Sequence, residues 1–405
     1  MTTATPPKPR RRRRPLPIIA AIILIPALGL GALFASTSFF QLSRALMWQD
    51  ADVGDINRFP SREISTSTAS ELPVALDERT LEAFGKLDLS FLGFRGLSLD
   101  TQDKLDNFLT ESETTAFLVV QDGVLINQWY AQGVDHDSLQ TSFSVSKSFL
   151  STLIGIAIGQ GKIGSLDDSI TNYIPELLER DSRFSAITLK HLITMTSGLE
   201  YVDEMSPFSD AADTYYSPNL RATALSAVIV EEPGKTFLYN NYNPLLLGMA
   251  LERATGQKVT DYMSQVLWAP MGAEADGSWS LDSFFSGFEK MESGLNARPV
   301  DFARFGLMVA RGGTVDGRQV VPQEWLKEAT ASNNESVGNN DFLIQNYKYF
   351  WWVYPDNQFA AQGNKGQFIF IAPDQGTVIV RLGREETLMW PMLFLDLAQQ
   401  LKDKT

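Results

Sequence analysis

The chain of 405 residues contains no cysteine, so disulfides and thiolate metal sites are excluded. Histidine is almost absent, with His136 and His191 the only two. A three-histidine metal site is therefore impossible, and a Ser-His-Asp triad would have to use one of this pair. His191 lies on an apolar helical stretch, where a packed, hydrogen-bonded ring is expected. His136 lies in the acidic loop Asp135-His136-Asp137, where solvation is expected. No Gly-x-Ser-x-Gly segment occurs, which removes the hydrolases built on a strand–elbow–helix nucleophile. No internal repeat is present. Positive charge is scarce beyond the N-terminus. The formal net charge is −14, although Lys8 and Arg10 to Arg14 all fall within the first 14 residues. An acidic body argues against nucleic acid as a partner. The rest is ordinary globular composition, 44% hydrophobic and 20% charged, in a chain long enough for one large domain or two smaller ones with a substantial core.

Residues 15–40 carry no charge, and residues 16–35 are all apolar or small, the length that crosses a bilayer. The run exceeds the roughly 7–15 residues of a cleavable signal core. The expectation is an uncleaved, single-pass signal anchor over 16–36 in the inner (cytoplasmic) membrane. The basic tail 1–15 would stay in the cytoplasm by the positive-inside rule, and the remainder would be periplasmic or extracellular. Residues 37–104 read as a connecting region. Its Ser/Thr-rich part, 61–70, is bounded by Pro60 and Pro73 and resembles a spacer wrapping the domain surface.

The compact domain is expected over 105–402. Residues 115–120 and 124–130 read as strands around the Asp122-Gly123 turn. Helical patterns follow at 149–158, 165–173, 188–196, 221–230, 244–255, 260–268, 299–310 and 322–331. Strand-like runs return at 347–354, 367–372 and 377–382, and an amphipathic helix closes the chain at 388–401. Strands at both ends and helices between them predict an α+β (α/β) fold. Its antiparallel sheet is drawn from both ends of the domain and flanked by helices, with a mostly helical subdomain beside it. A cleft is expected where the two parts meet.

Three stretches carry candidate chemistry. Ser144 and Lys147 stand three apart at the start of an apolar helix, so they share one face. A hydroxyl beside an amine at a helix N-terminus suits an activated nucleophile, because the N–H groups there favour developing negative charge. Tyr239 and Asn241 precede another apolar helix, and a phenol near an ammonium suits a general base. Gly363, Asn364 and Lys365 precede a strand, where glycine permits close backbone approach and an N–H can face an oxyanion. Each piece alone has a plain structural explanation: a chance Ser-x-x-Lys, a packed Tyr with a capping Asn, and a tight turn.

In this order the three resemble the motifs of the serine β-lactamase, penicillin-binding protein and esterase superfamily, particularly its class C-like branch. Within it, the chain is similar to the 6-aminohexanoate-dimer hydrolases. Ser144-Val145-Ser146-Lys147 matches Ser-x-x-Lys and is the only such spacing present. Tyr239-Asn240-Asn241 matches Tyr-x-Asn, and residues 188–199 and 294–313 are similar to further family segments. The resemblance implies a β-lactamase-like fold and an acyl-enzyme mechanism on esters or amides, without metal or organic cofactor. Ser144 would be the nucleophile, Lys147 and Tyr239 the proton carriers, and Asn241 an orienting group. The N–H groups of Ser144 and Asn364 would form the oxyanion hole. There is one departure. The strand motif that usually carries a cation reads Ala361-Gln362-Gly363, and Lys365 four residues on is the candidate substitute. The missing cation keeps two alternatives open, a non-catalytic binding protein of the cell wall and a true β-lactamase. Trp351 and Trp352 are candidates to line an acyl pocket, of which at most one can face it.

Overall fold

A computed structural model describes residues 37–402 apart from 68, 94–95, 205 and 332–345. The anchor expected over 16–36 lies outside the described residues. Among the described residues no helix is long and apolar enough to cross a membrane.

The strands are β1 (Ser61–Ile64), β2 (Thr114–Gln121), β3 (Val124–Tyr130), β4 (Gln140–Thr141), β5 (Gly277–Ser280) and β6 (Leu295–Ala297). The remainder are β7 (Thr314–Val315), β8 (Arg318–Gln319), β9 (Asn346–Lys348), β10 (Trp351–Tyr354), β11 (Gln358–Gly363), β12 (Gln367–Ala372) and β13 (Thr377–Gly383). Seven of them form one antiparallel sheet in the order β3-β2-β13-β12-β11-β10-β9. The sheet therefore joins the two ends of the domain, as the strand pattern predicted.

Its central strands are near-continuous apolar runs because both faces are covered. Ala116, Leu118 and Val120 of β2, Ile369 and Ile371 of β12, and Val378 and Val380 of β13 enter one core, with the Val145–Gly159 and Pro299–Ala310 helices. Their alternates Phe117, Val119, Phe368, Phe370 and Ile379 enter a second core, with the Gln102–Glu111 and Trp390–Lys402 helices. The Val145–Gly159 helix is buried all round from Val145 through Ala157, its polar Ser146, Lys147, Ser148, Ser151 and Thr152 included. A helix of that kind belongs inside a protein rather than on its surface. The helices Leu189–Ile193, Leu220–Leu225 and Tyr242–Thr255 pack beside it as the helical subdomain.

Several elements differ from the sequence expectation. A second sheet, β1-β5-β6-β4, was not foreseen, since strands of two to four residues leave no readable alternation. Residues 347–354 are a hairpin, not one strand. Tyr349 and Phe350 turn at φ 46° and 66°, and an aromatic run with no Gly, Asn or Pro gave no turn signal. In 221–230 the helix stops at Leu225, after which Ile229 bridges Leu199. Residues 37–104 are more than a wrapping spacer. Their helix Thr37–Trp48 packs on Asp210–Tyr216, and β1 pairs with β5.

The Pro299–Ala310 helix generates a pH prediction. Asp301 in its first turn is buried. One oxygen accepts the Glu274 N–H at 2.6 Å, and the other has no partner among the described residues. Burial pushes its carboxyl up to about 7. An unfolded carboxyl ionises near pH 4. The folded state therefore holds a proton that the unfolded chain releases between about pH 4 and pH 7, and this group's contribution to stability is lost as pH rises through that window. Asp301→Asn should flatten the slope, by at most about 1.4 kcal/mol per pH unit. Urea unfolding of both proteins at pH 5 and pH 7.5 measures it.

Candidate active site

Ser144 is the residue before the first turn of the buried helix. The chain reaches it through Phe143, which has φ 45°. A non-glycine residue in the left-handed region costs about 1 kcal/mol or more and persists only where its surroundings enforce it. Phe143 is buried against the cleft, so packing holds the turn. One helical turn on, the Lys147 ammonium donates to Ser144 Oγ at 2.8 Å and to the Glu292 carbonyl at 2.9 Å. Lys147 is 1% exposed. Its ammonium also stands 4.9 Å from the centre of the Tyr239 ring. The spacing of three puts the hydroxyl and the amine together, as expected.

Strand β11 ends against this turn. A Cβ at Gly363 would meet the Ser142 carbonyl oxygen at 2.3 Å and the Ser144 nitrogen at 3.0 Å, so only glycine fits. Asn364 follows and lines the cleft. The loop beyond is fixed from beneath by Arg381 on β13, which is fully buried. All five guanidinium donors are used: to Thr114 Oγ1, to the carbonyls of Lys365 and Gly366, and to those of Ser112 and Glu385. The same guanidinium lies over the Trp390 ring.

These pieces face a cleft of about 660 Å³ whose lining includes Ser144, Tyr239, Asn241, Glu292, Ser293 and Asn364. Tyr239 stacks on Trp352 and meets Tyr347 edge-on. Trp351 faces the other way, stacked on Phe305 in the core. Asn241 Nδ2 donates to the Tyr201 hydroxyl at 2.8 Å, and its Oδ1 has no partner among the described residues. Every charged residue in the described lining is acidic: Asp50, Asp203, Glu204 and Glu292. Lys365 is not among them. Its ammonium pairs with Glu385 at 3.0 Å and Asp50 at 3.6 Å. Neither histidine reaches the cleft. His136 pairs with Glu274, and His191 accepts the Thr188 N–H in a capping box. The triad reading therefore falls.

The sequence matches the β-lactamase family over residues 102–392. The chain belongs to that family. A 6-aminohexanoate-dimer hydrolase of Paenarthrobacter ureafaciens is 27% identical over 313 residues, covering 71% of this chain and 75% of that protein. Among solved structures, a Bacillus anthracis protein provisionally assigned as a 6-aminohexanoate-dimer hydrolase superposes with a TM-score of 0.74. It is 22% identical and covers 90% of this chain and 95% of that one. A family VIII carboxylesterase superposes at 0.58, with 16% identity, covering 83% of this chain and 99% of that one. The family match makes the chain a serine hydrolase of the amidase, esterase and β-lactamase-like group.

Sequence reasoning missed three parts of this β-lactamase-family cleft. Tyr201 follows the similar segment 188–199 by two residues and gave no signal of its own. Glu292 is buried, with its carboxylate on the Lys290 ammonium at 2.9 Å and on the Ser293 hydroxyl at 2.8 Å. Burial lowers the Lys290 ammonium below the usual lysine value, against the pull of Glu292. The wall made by Ala45, Leu46 and Asp50 belongs to the stretch read as a connector.

The close approach at Gly363 yields a prediction. Gly363→Ala must push β11 away from Ser142 and Ser144. A displacement near 1 Å costs about 10²-fold in turnover. The variant should keep its cooperative unfolding and lose turnover of a nitrophenyl ester on that scale; unchanged kcat/KM would show that β11 does not set the site.

Proposed function

We propose that this chain is a membrane-anchored hydrolase that cleaves esters or linear amides through an acyl-enzyme on Ser144. The observation that carries the reading is the 2.8 Å hydrogen bond from Lys147 to Ser144 Oγ inside the cleft. Ser144 Oγ attacks the substrate carbonyl while its proton passes to the Lys147–Tyr239 pair. The N–H groups of Ser144 and Asn364 stabilise the oxyanion. The pair then returns the proton to the leaving alcohol or amine as the C–O or C–N bond breaks. Water attacks the acyl-enzyme by the same relay, releasing the acid and restoring Ser144. Asn241, tethered to Tyr201, presents its free Oδ1 to a donor on the substrate. No metal or organic cofactor enters the scheme. The apolar run at 16–35 holds the chain in the inner membrane, with the basic tail cytoplasmic and the hydrolase domain on the other side.

The substrate class follows from charge. Ala361 is buried where many relatives carry a cation, and Lys365 is tied to Glu385 and Asp50. A substrate carboxylate thus lacks a charge-assisted partner worth about 1.5–3 kcal/mol, a factor of roughly 10 to 150. It also faces a wall of carboxylates. Uncharged esters and linear amides are favoured over penicillins and cephalosporins, whose carboxylate meets no cation in the described lining.

Two measurements test this. A fluorophosphonate probe should label the wild type and leave Ser144→Ala unlabelled. Lys147→Ala and Tyr239→Phe should each lose at least about 10²-fold in turnover, the scale of acid–base help; near-wild-type rates in both would overturn the relay. For substrate class, kcat/KM for a nitrophenyl ester should exceed that for a chromogenic cephalosporin once intrinsic reactivity is allowed for. A clear preference for the cephalosporin would restore Lys365 as the substitute cation.

A further inference from the structure

The largest exposed apolar side chains in the molecule are Phe284 and Phe285, at 87% and 102% exposure among the described residues. They are not on a loose loop. Gly287 N–H bonds the Ser283 carbonyl at 2.9 Å, Ser286 N–H bonds Ser283 Oγ at 3.0 Å, and Ser283 Oγ donates to the Pro218 carbonyl at 2.7 Å. Asp282 accepts the N–H groups of Ser283 and Phe288. The turn is thus pinned at its base and holds two phenyl rings in water.

The Thr37–Trp48 helix is tied to the same turn. Arg44 donates to the Asp282 carbonyl at 2.8 Å, and its guanidinium lies 4.9 Å from the Phe40 ring centre. Phe40 and Met47, seven residues apart on one helix face, are 43% and 70% exposed. That helix has no carboxylate, in a chain of net charge −14. Arg62 and Arg221 brace the same turn through the Gly287 and Ser286 carbonyls, and its one acid, Asp282, is buried. An uncovered apolar surface braced by arginines suits a lipid interface better than water.

The sequence outside the described residues names the occupant. The apolar run 16–35 ends two residues before Thr37. At most about 3.6 Å per residue, Phe40 lies within roughly 18 Å of its end. We propose that Phe40, Met47, Phe284 and Phe285 form a docking surface that seats the hydrolase domain in the headgroup–acyl boundary of the bilayer. The inference rests on the anchor reading above. Leu46 and Asp50 line the cleft from the same segment, so docking fixes the cleft mouth beside the membrane.

The absence of native cysteine makes the test direct. The full chain carrying Phe285→Cys, labelled with an environment-sensitive fluorophore, is reconstituted into phosphatidylcholine–phosphatidylglycerol vesicles. A second preparation is labelled at Glu324→Cys, an exposed site on the Gln323–Ala329 helix. The label at 285 should shift to the blue and be quenched at least twofold by lipids bearing a doxyl group near the headgroup. The label at 324 should do neither. Protein that floats with the vesicles while the 285 label stays water-like overturns the docking surface and leaves the anchor standing. A blue shift that doxyl lipids do not quench assigns the patch to a second copy or to the chain's own N-terminal segment, and overturns it too. Protein that fails to float removes the anchor reading and this inference with it.

Discussion

The site depends on one contact, the seating of the end of β11 against the turn that carries Ser144. Gly363 has no side chain to hold the strand off, so backbone meets backbone. Everything around this contact keeps it in register. β11 is fixed between β10 and β12 by antiparallel pairing, and a one-residue slip would exchange the cores that Ala360 and Ala361 enter. The loop after β11 is held by Arg381 through the Lys365 and Gly366 carbonyls, while its other three donors tie it to Ser112, Thr114 and Glu385. Arg381 is buried, so its loss would leave several carbonyls without partners and the loop without an anchor. Phe143, strained at φ 45°, is held on the other side by its burial. Ser144 is thus placed by packing that surrounds it from three elements, and the helix cap alone would not place it.

A second constraint is electrostatic. Two lysines are buried within a short stretch of the cleft floor, Lys147 and Lys290, and each needs partners to stay there. Glu292 serves both, its carbonyl accepting from Lys147 and its carboxylate from Lys290. The backbone contact leaves the carboxylate away from Lys147, so the amine beside Ser144 is not locked into an ion pair. Glu292 thus neutralises Lys290 and lends Lys147 only its carbonyl.

The sequence was most legible where one element carries the whole argument. Ser144 and Lys147 sit three apart on a helix, and the helix geometry alone brings them together. The apolar runs of β2, β12 and β13 read as strands because both of their faces are covered. Tyr239 was found by its motif, but its placement over Lys147 depends on Trp352 and Tyr347, which lie on a hairpin that gave no turn signal. Lys365 was read as a possible cation for the cleft. Its partners Glu385 and Asp50 are 20 and more than 300 residues away, a distance no local pattern reports. Glu292 and Tyr201 escaped for the same reason: Lys147 reaches the Glu292 backbone carbonyl, and Asn241 the Tyr201 hydroxyl, from far along the chain.

The division between family and individual runs through the cleft itself. The β-lactamase-family match covers 102–392, which contains Ser144, Lys147, Tyr239, Asn241 and Asn364. The wall opposite them includes Ala45, Leu46, Gln49, Asp50 and Ala51, which precede that match. Arg44 holds this wall through the carbonyls of Tyr216 and Asp282, and Tyr216 returns a hydrogen bond to the Gln49 carbonyl. The Ser144, Lys147 and Tyr239 cluster therefore lies in the shared part of the chain, and part of the cleft wall lies in the segment that precedes it. Asp50 belongs to both sides of this division, since it lines the cleft and also draws on Lys365. Any anion approaching that wall would have to compete with Asp50 and Glu385 for the Lys365 ammonium.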